Sequence, residues 1–198
     1  MAHIDYYTFP LSPFTYLAGN DLENIAAKQG ASITYKPFNL MKIFAETNTP
    51  AVPDRHPSVI AYRTQELKRI AKRRGTAINL KPAFWPTNPV PACHAMIAAQ
   101  EAGGGDLAGL VQGILRACWL EEQDISQDAI INACLTANGF AADLMHNHPE
   151  KLAAIYEQNT VDALNSGVFG APTYIVGDEV FWGQDRLDYL DDYLTETE

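Results

Sequence analysis

Apolar residues follow one rhythm at the two ends of the chain and another through its middle. Residues 3–9 (HIDYYTF) and 32–38 (SITYKPF) are short, rich in aromatic and β-branched types, and predict two strands. Between them, from Pro13 to Gly30, apolar positions recur at helical spacing, which predicts a helix. This β-α-β opening implies parallel strands joined by a right-handed crossover.

The carboxyl end combines a predicted hairpin with a last helix. Residues 173–176 and 179–182 are short apolar runs on either side of a Gly177-Asp178 turn, as in a tight hairpin. We expect both strands to join the two amino-terminal strands in one sheet, with the bond before Pro172 in cis. Helical spacing of three leucines predicts the final helix: Leu187, Leu190 and Leu194.

The middle of the chain is predicted to be almost entirely helical. A proline-rich connector at residues 82–91 (PAFWPTNPVP) favours extended backbone. The pattern therefore predicts an α/β fold in which residues 1–40 and 168–198 form one unit and 41–167 a helical insertion. Five helical pieces are separated by Gly, Pro and Asn breaks: 58–74, 91–102, 106–121, 126–138 and 149–166.

Composition restricts the class of protein. Of 198 residues, 47% are hydrophobic, which provides a core and argues against disorder. The net charge of −10 disfavours nonspecific binding to nucleic acid or anionic membranes. The start MAHIDYYTF lacks the basic and apolar regions of a signal peptide. Three cysteines without metal-ligand spacing predict buried free thiols and a cytoplasmic setting: Cys93, Cys118 and Cys134.

One basic segment opposes the acidic balance. Residues 63–74 (RTQELKRIAKRR) carry six basic residues against one acid. We favour a solvated helix face over a surface that steers a charged ligand, although both interpretations stay open. On the favoured interpretation the inward residues are Ile60, Leu67, Ile70 and Ala71.

The turn LSPFTYLA starts the first helix where redox proteins often carry a C-x-x-C pair. Ser12 and Thr15 occupy the two cysteine positions. Ser12 precedes Pro13 and can act as an ordinary helix N-cap. Alternatively, the helix end would stabilise a ligand thiolate, to which the Ser12 hydroxyl would donate a hydrogen bond. The residues alone leave both interpretations open.

Two further motifs lie at the carboxyl end. The bond between Ala171 and Pro172 marks either a simple strand start or a cis turn. In a cis turn the Ala171 N–H and C=O would be exposed to an extended peptide ligand. In the WGQD segment, residues 182–185, Gly183 permits a turn and a polar residue can cap the next helix. Alternatively, Asp185 would bind an ammonium group.

Other motifs carry weaker signals. The HNH segment at 146–148 is interpreted as a surface loop rather than a metal site, so no metal is expected. The GGG run at 103–105 lacks the context of a phosphate loop. No serine lies in the G-x-S-x-G elbow of serine hydrolases.

Three segments together resemble the 2-hydroxychromene-2-carboxylate isomerases, which are glutathione-dependent relatives of kappa-class glutathione transferases and DsbA-type oxidoreductases. They are LSPFTYLA, TNTP at 47–50 and GVFGAPTYIVGDEVFWGQDRL. The resemblance covers essentially the whole chain. It implies a thioredoxin-like fold with a large all-helical insertion. It also implies a cytoplasmic enzyme of aromatic-compound catabolism, such as naphthalene degradation, with a small aromatic carboxylate as substrate and a possible homodimer.

The resemblance also implies a glutathione site. Ser12 would be catalytic, donating a hydrogen bond to the glutathione sulfur. Ala171, before Pro172, would pair with the cysteinyl backbone, and Asn48 matches an asparagine of the family's loop. Four consecutive residues would hold the γ-glutamyl end, the last of them binding its amino group: Trp182, Gly183, Gln184 and Asp185.

The substrate side departs further from the family's pattern. Lys42 lies near the family's lysine position, and Asp54 and Arg55 lie near an Asn-Arg pair. In the proline-rich connector Phe84 and Trp85 stand where members carry a tyrosine. These five residues are the predicted substrate contacts.

The implied reaction is reversible addition of the glutathione thiolate to a conjugated double bond. Ring opening, bond rotation and departure of the thiolate would convert the chromene to trans-o-hydroxybenzylidenepyruvate and regenerate glutathione. Two alternatives stay open: a kappa-like transferase that keeps the conjugate, and a non-catalytic glutathione- or peptide-binding module. A disulfide oxidoreductase is disfavoured because Ser12 and Thr15 supply no thiol.

Overall fold

The computed structural model describes residues 1–197, and one mixed sheet lies at its centre. The strands are β1 (His3–Thr8), β2 (Ser32–Pro37), β3 (Thr173–Val176) and β4 (Glu179–Trp182). Their order is β2-β1-β3-β4, in which β1 and β2 are parallel and the other pairs antiparallel. The two ends of the chain therefore build one sheet, as the sequence pattern predicts. The Ala171–Pro172 bond is cis, as expected.

The helices of the middle follow the predicted pieces to within a few residues, and the final helix is confirmed. The helices are α1 (Pro13–Ala18), α2 (Asp21–Gln29), α3 (Leu40–Glu46), α4 (Pro57–Arg74), α5 (Val90–Ala102), α6 (Leu107–Trp119), α7 (Asp128–Ala137), α8 (Pro149–Asn165) and α9 (Leu187–Glu196). Helix α3 was not predicted, because about two turns are too short for a helical period to stand out. Short 3-10 turns occupy Val52–Asp54 and Leu144–His146.

The single helix predicted from Pro13 to Gly30 is wrong. Gly19, with φ 60° and ψ −143°, ends α1, and α2 starts two residues later. Glycine reaches this backbone region without the steric cost that a Cβ would add. The apolar period hides the break because Ala18 and Leu22, on its two sides, are both buried.

The helical segment shares its hydrophobic core with the sheet. Helix α5 packs against β2 on one side and against α8 on another. Ala92 and Ala95 of this helix are fully buried, and their small side chains permit close approach. One large cluster of buried residues therefore joins the sheet to helices of the middle segment, and a second, smaller cluster joins α5 to α8.

The three cysteines are free thiols in the interior, as expected. Cys93 and Cys118 are buried and Cys134 is partly buried. Burial raises the pKa of both Cys93 and Cys118 to about 12. These thiols therefore stay protonated near neutral pH. Within residues 1–197 no helix is long and apolar enough to cross a membrane.

Candidate active site

Ser12 connects the start of α1 to the loop before β3. Its Oγ accepts a hydrogen bond from the Thr15 N–H at 3.2 Å, which caps the helix. The same hydroxyl donates to the Ala171 carbonyl at 2.9 Å, across 159 residues of sequence. Ser12 is only 6% exposed. The N-cap interpretation is thus confirmed, and the same hydroxyl also reaches the loop that was predicted to bind glutathione.

The Ala171 loop is held on both sides. The expectation of a free Ala171 carbonyl is wrong for this structure, because the Ser12 hydroxyl occupies it. The Ala171 N–H, in contrast, makes no hydrogen bond with any residue in 1–197. Gly170 lets the Trp182 indole approach, since a Cβ there would overlap the indole nitrogen. Trp182 also packs against Phe169, with ring centroids 4.7 Å apart.

The WGQD segment is anchored by a residue that sequence reasoning missed. Arg74, the last residue of α4, donates from Nε to the Gln184 Oε1 and from Nη2 to the Gln184 carbonyl, both at 3.1 Å. Its Nη1 contacts the Asp21 carboxylate at 2.6 Å. The Gly183 N–H donates to the Pro172 carbonyl at 2.9 Å. Arg74 therefore joins three separate segments behind this loop.

The prediction that a polar residue of WGQD caps the last helix is wrong. Arg186 occupies the N-cap position of α9, and no side chain there makes a capping hydrogen bond. Gln184 is buried and paired with Arg74 instead. The exposed Asp185 accepts from the Arg186 Nη1 at 2.7 Å. Its carboxylate is thus available at the surface of the cavity described next.

An open cavity of about 820 Å³ lies between α4 and the two carboxyl-terminal loops. One wall consists of Ala171 and residues 182–188. The opposite wall is one stripe of α4, which includes Tyr62, Arg63 and Ile70. The lining also includes Phe14, two positions after Ser12. Ala171 and residues 182–185 are therefore gathered on one side of the cavity, whereas the other predicted glutathione residues, Ser12, Asn48 and Pro172, lie outside its lining.

The basic segment of α4 is divided between two roles. Leu67 and Ala71 are buried as predicted, and Ile60 and Ile70 are partly buried. The basic residues Lys68, Arg69 and Lys72 are exposed to solvent outside the cavity lining. The remaining basic residues of the segment line the cavity: Arg63, Arg73 and Arg74. Arg73 is nevertheless exposed, so the favoured interpretation of a solvated face holds for four of the six side chains and fails for Arg63 and Arg74, which are partly buried.

The predicted substrate residues are more scattered. Arg55 lines the cavity, whereas Asp54 lies beside it in an exposed 3-10 turn. Lys42 pairs with Glu157 on α8. Asn48, at φ 53°, lies on the exposed loop after α3.

The connector residues Phe84 and Trp85 lie outside the cavity lining, and Trp85 contacts the backbone just before Ser12. Phe84 is 50% exposed. The Trp85 Nε1 donates to the Leu11 carbonyl at 3.2 Å, and the Trp119 Nε1 donates to the Pro10 carbonyl at the same distance. Trp119 was not singled out in the sequence, since its indole bond spans 109 residues. The two indoles fix the backbone that leads into Ser12.

The fold and this site define a class of protein. A family model described as the DSBA-like thioredoxin domain matches residues 3–195. A solved structure of a 2-hydroxychromene-2-carboxylate isomerase has a TM-score of 0.78 at 24% identity, over 98% of this chain and 95% of that one. The chain is therefore a DSBA-like thioredoxin protein, which confirms the predicted fold class.

Curated relatives narrow the assignment. The 2-hydroxychromene-2-carboxylate isomerase of Sphingobium xenophagum is 31% identical over 197 residues, 96% of this chain and 97% of that protein. The glutathione s-transferase kappa 2 of Caenorhabditis elegans is 22% identical over 199 residues, covering 94% and 88% of the two chains. The chain belongs to the 2-hydroxychromene-2-carboxylate isomerase family, as its motifs indicate.

Proposed function

We propose that this protein is a glutathione-dependent isomerase. Its substrate is 2-hydroxychromene-2-carboxylate or a related aromatic-degradation intermediate, and its product is trans-o-hydroxybenzylidenepyruvate or the corresponding isomer. The observation that carries the proposal is the hydrogen bond between the Ser12 hydroxyl and the Ala171 carbonyl beside the cavity. It brings together a hydroxyl donor and a peptide group suited to a thiol-containing peptide.

Glutathione fits the residues of this site. The Ala171 N–H has no acceptor within residues 1–197, although Ala171 is only 8% exposed. An extended peptide supplies such an acceptor by the pairing used in strand addition. No protein thiol takes the position of the missing redox pair, since the cysteines are in α5, α6 and α7. A peptide that brings its own thiol complements both features.

Ser12 and Ala171 exchange partners when glutathione binds. The Ser12 hydroxyl turns from the Ala171 carbonyl to the sulfur, and the released carbonyl accepts from the cysteinyl N–H of the ligand. A hydrogen bond donated to a thiolate favours its charged form, which lowers the thiol pKa below its ordinary value of about 8.5. When bound, glutathione supplies the thiolate nucleophile that adds reversibly to the substrate's conjugated double bond.

The WGQD segment holds the other end of the ligand. Asp185 exchanges its exposed partner Arg186 for the amino group of the γ-glutamyl residue, and Trp182, Gly183 and Gln184 form the adjoining surface. Arg74 keeps this loop in position through Gln184. Asn48, on the loop at 47–50, is a further proposed contact of glutathione. The loop approaches the cavity through Arg55, whose Nε donates to the Pro50 carbonyl at 3.1 Å.

A turnover assay tests the proposal. The full-length protein is given 2-hydroxychromene-2-carboxylate with and without glutathione, while product absorbance and free thiol are both measured. We expect product to form only with glutathione present, and free thiol to stay constant. A stoichiometric fall in free thiol would identify a kappa-like transferase, the second candidate, which the kappa relative favours. Glutathione binding by calorimetry without turnover of substrate would identify a non-catalytic module.

A cytoplasmic location and a homodimeric state are part of the same proposal. Three free cysteines suit a reducing compartment such as the cytoplasm, where disulfides are rare. The family also suggests a homodimer. Light scattering of the purified protein, which gives the mass directly, tests the dimer against the monomer mass of 21.8 kDa.

A further inference from the structure

Arg63 is a cation without a partner inside the cavity. Its side chain is partly buried and makes no hydrogen bond or ion pair with any residue in 1–197. Its guanidinium lies over the Phe14 ring, 5.3 Å from the centroid. Two other arginines of α4 are paired, Arg74 with Asp21 and Arg69 with Glu66. Arg73 also lines the cavity without an ion pair among the described residues, but it is exposed to solvent. Arg63 is therefore desolvated in part without compensation by an acid.

A second cation faces the same space. Arg55 lines the cavity and forms no ion pair within the described residues. Burial first, and then the charge of Arg55, lowers the pKa of Arg63. The cavity lining contains four acids, and three of them are paired with other arginines: Glu66 with Arg69, Asp21 with Arg74 and Asp185 with Arg186. The fourth, Asp188, lies in the first turn of α9. A bound anion would relieve the repulsion between the two guanidinium groups.

The same wall is apolar around these charges. Val59 and Tyr62, on the cavity stripe of α4, are 47% and 60% exposed. The ring of Phe14 lies beneath the Arg63 guanidinium. Exposed apolar side chains beside a guanidinium fit a ligand with a flat apolar body and one anionic end. Phe14 is two residues from Ser12, so such a ligand would lie near the proposed reacting centre.

We propose that Arg63, assisted by Arg55, forms a carboxylate subsite that selects aromatic acids over neutral compounds of the same shape. The assignment of this acid as the substrate rests on the proposed isomerase function. Guanidinium and carboxylate match in a planar, bidentate geometry, which makes the subsite specific as well as attractive. The glycine carboxylate of glutathione is a second source of the same chemistry.

The test compares two variants of the full-length protein by calorimetry. Arg63→Met removes the cation and keeps an apolar stem over Phe14. Lys68→Met removes one positive charge from the exposed side of the same helix and is the matched control. The probes are 2-naphthoate and 2-naphthamide, which differ only in charge and hydrogen bonding. We expect the wild type to bind the acid about tenfold or more tightly than the amide. Arg63→Met removes this preference and Lys68→Met keeps it.

A second pair of probes identifies the carboxylate. Glutathione is compared with its glycine amide in the same three proteins. Loss of acid-over-amide preference in Arg63→Met, for the naphthyl pair or the glutathione pair, supports the subsite and names its occupant. The subsite is overturned if the wild type shows no preference in either pair, if Arg63→Met keeps every preference, or if Lys68→Met loses as much. Arg63→Lys, which keeps the charge, should retain part of the preference and exclude misfolding as the cause.

These measurements separate the subsite from the proposed function. The naphthyl probes carry no reactive double bond for isomerisation, so their binding is independent of turnover. Intact discrimination without any isomerisation would refute the isomerase proposal and leave a carboxylate site. Isomerisation without discrimination would refute the subsite alone.

Discussion

The two walls of the cavity are built in different ways. The carboxyl-terminal wall is held by hydrogen bonds between segments distant in sequence, such as Ser12 to Ala171 and Arg74 to Gln184. The α4 wall, in contrast, presents side chains such as Tyr62 from one helix, and apart from Arg74 at the end of that helix they make few bonds to the rest of the protein. A wall fixed by many long-range bonds suits a ligand that never varies. Exposed side chains on one helix can be substituted without loss of the fold, and such substitutions would change which ligand the wall binds.

The difference is also one of polarity. On the first wall the side chains of Ser12 and Gln184 are buried and each is hydrogen-bonded. On the second wall Arg63 lacks a partner within residues 1–197. Buried polar groups that are paired contribute to a unique structure, whereas an unpaired charge costs free energy until a ligand compensates it. We therefore expect changes on the first wall to alter the common chemistry, and changes on the second to alter selection of the substrate.

The largest effect is expected for Ser12→Ala, which removes the link between α1 and the Ala171 loop. Loss of the cap should lower the free energy of unfolding by about 0.5–2 kcal/mol. Loss of the donor to the sulfur should lower turnover at neutral pH by about a hundredfold, as when one such donor is deleted elsewhere. Activity should recover in part at higher pH, since the bound thiol then ionises without help.

The thiolate absorbance of bound glutathione, titrated against pH, checks the Ser12 prediction. A raised thiol pKa in Ser12→Ala is the expected result. Superimposed titration curves for wild type and variant, with equal turnover, would show that Ser12 is only an N-cap. The first wall would then have no special role in the chemistry.

A smaller effect is expected for Asp185→Ala. The change removes ground-state binding far from the sulfur, so the glutathione concentration for half-maximal rate should rise about tenfold or more, with a smaller change in kcat. Asp192→Ala, an exposed acid on α9, is the control for the lost charge. Equal glutathione dependence in both variants would contradict a role for Asp185 in binding.

Arg74→Met tests the anchor of the WGQD loop. The Arg74 side chain is 24% exposed and that of its partner Asp21 is 47% exposed, so solvent weakens the ion pair. We expect a loss of stability of about 1–2 kcal/mol from the hydrogen bonds to Gln184 and a severalfold loss of glutathione affinity. Arg69→Met, on the exposed face, should change neither quantity measurably. A variant with lowered melting temperature but unchanged affinity would show that the loop is positioned without Arg74.

Sequence patterns predicted the sheet and the long helices because these depend on local periodicity. The two motifs at Ser12 and Ala171 also stood out, since serine before proline and alanine before proline are local signals. The role of Arg74 could not be recognised in the sequence, because its contact with Gln184 spans 110 residues and any basic side chain of its helix could have made that contact. Likewise, the period of apolar residues cannot show whether Arg63 or Lys68 points into a cavity. Long-range pairing and the rotation of a helix against its neighbours needed the three-dimensional structure.

The smallest effect is expected at Thr15, the second position of the lost redox pair. Its Oγ1 is buried and has no hydrogen-bond partner among the described residues. Replacing an unsatisfied buried hydroxyl by a methyl group of the same shape is nearly neutral or stabilising. Thr15→Val should therefore leave the melting temperature unchanged or slightly raised and leave turnover intact, because the Thr15 N–H still donates to Ser12. Paired with Ser12→Ala, this variant shows whether the two hydroxyls of the turn are equivalent. A loss of activity in Thr15→Val comparable to that of Ser12→Ala would mean that the whole turn, and not the Ser12 hydroxyl, sets the chemistry of the first wall.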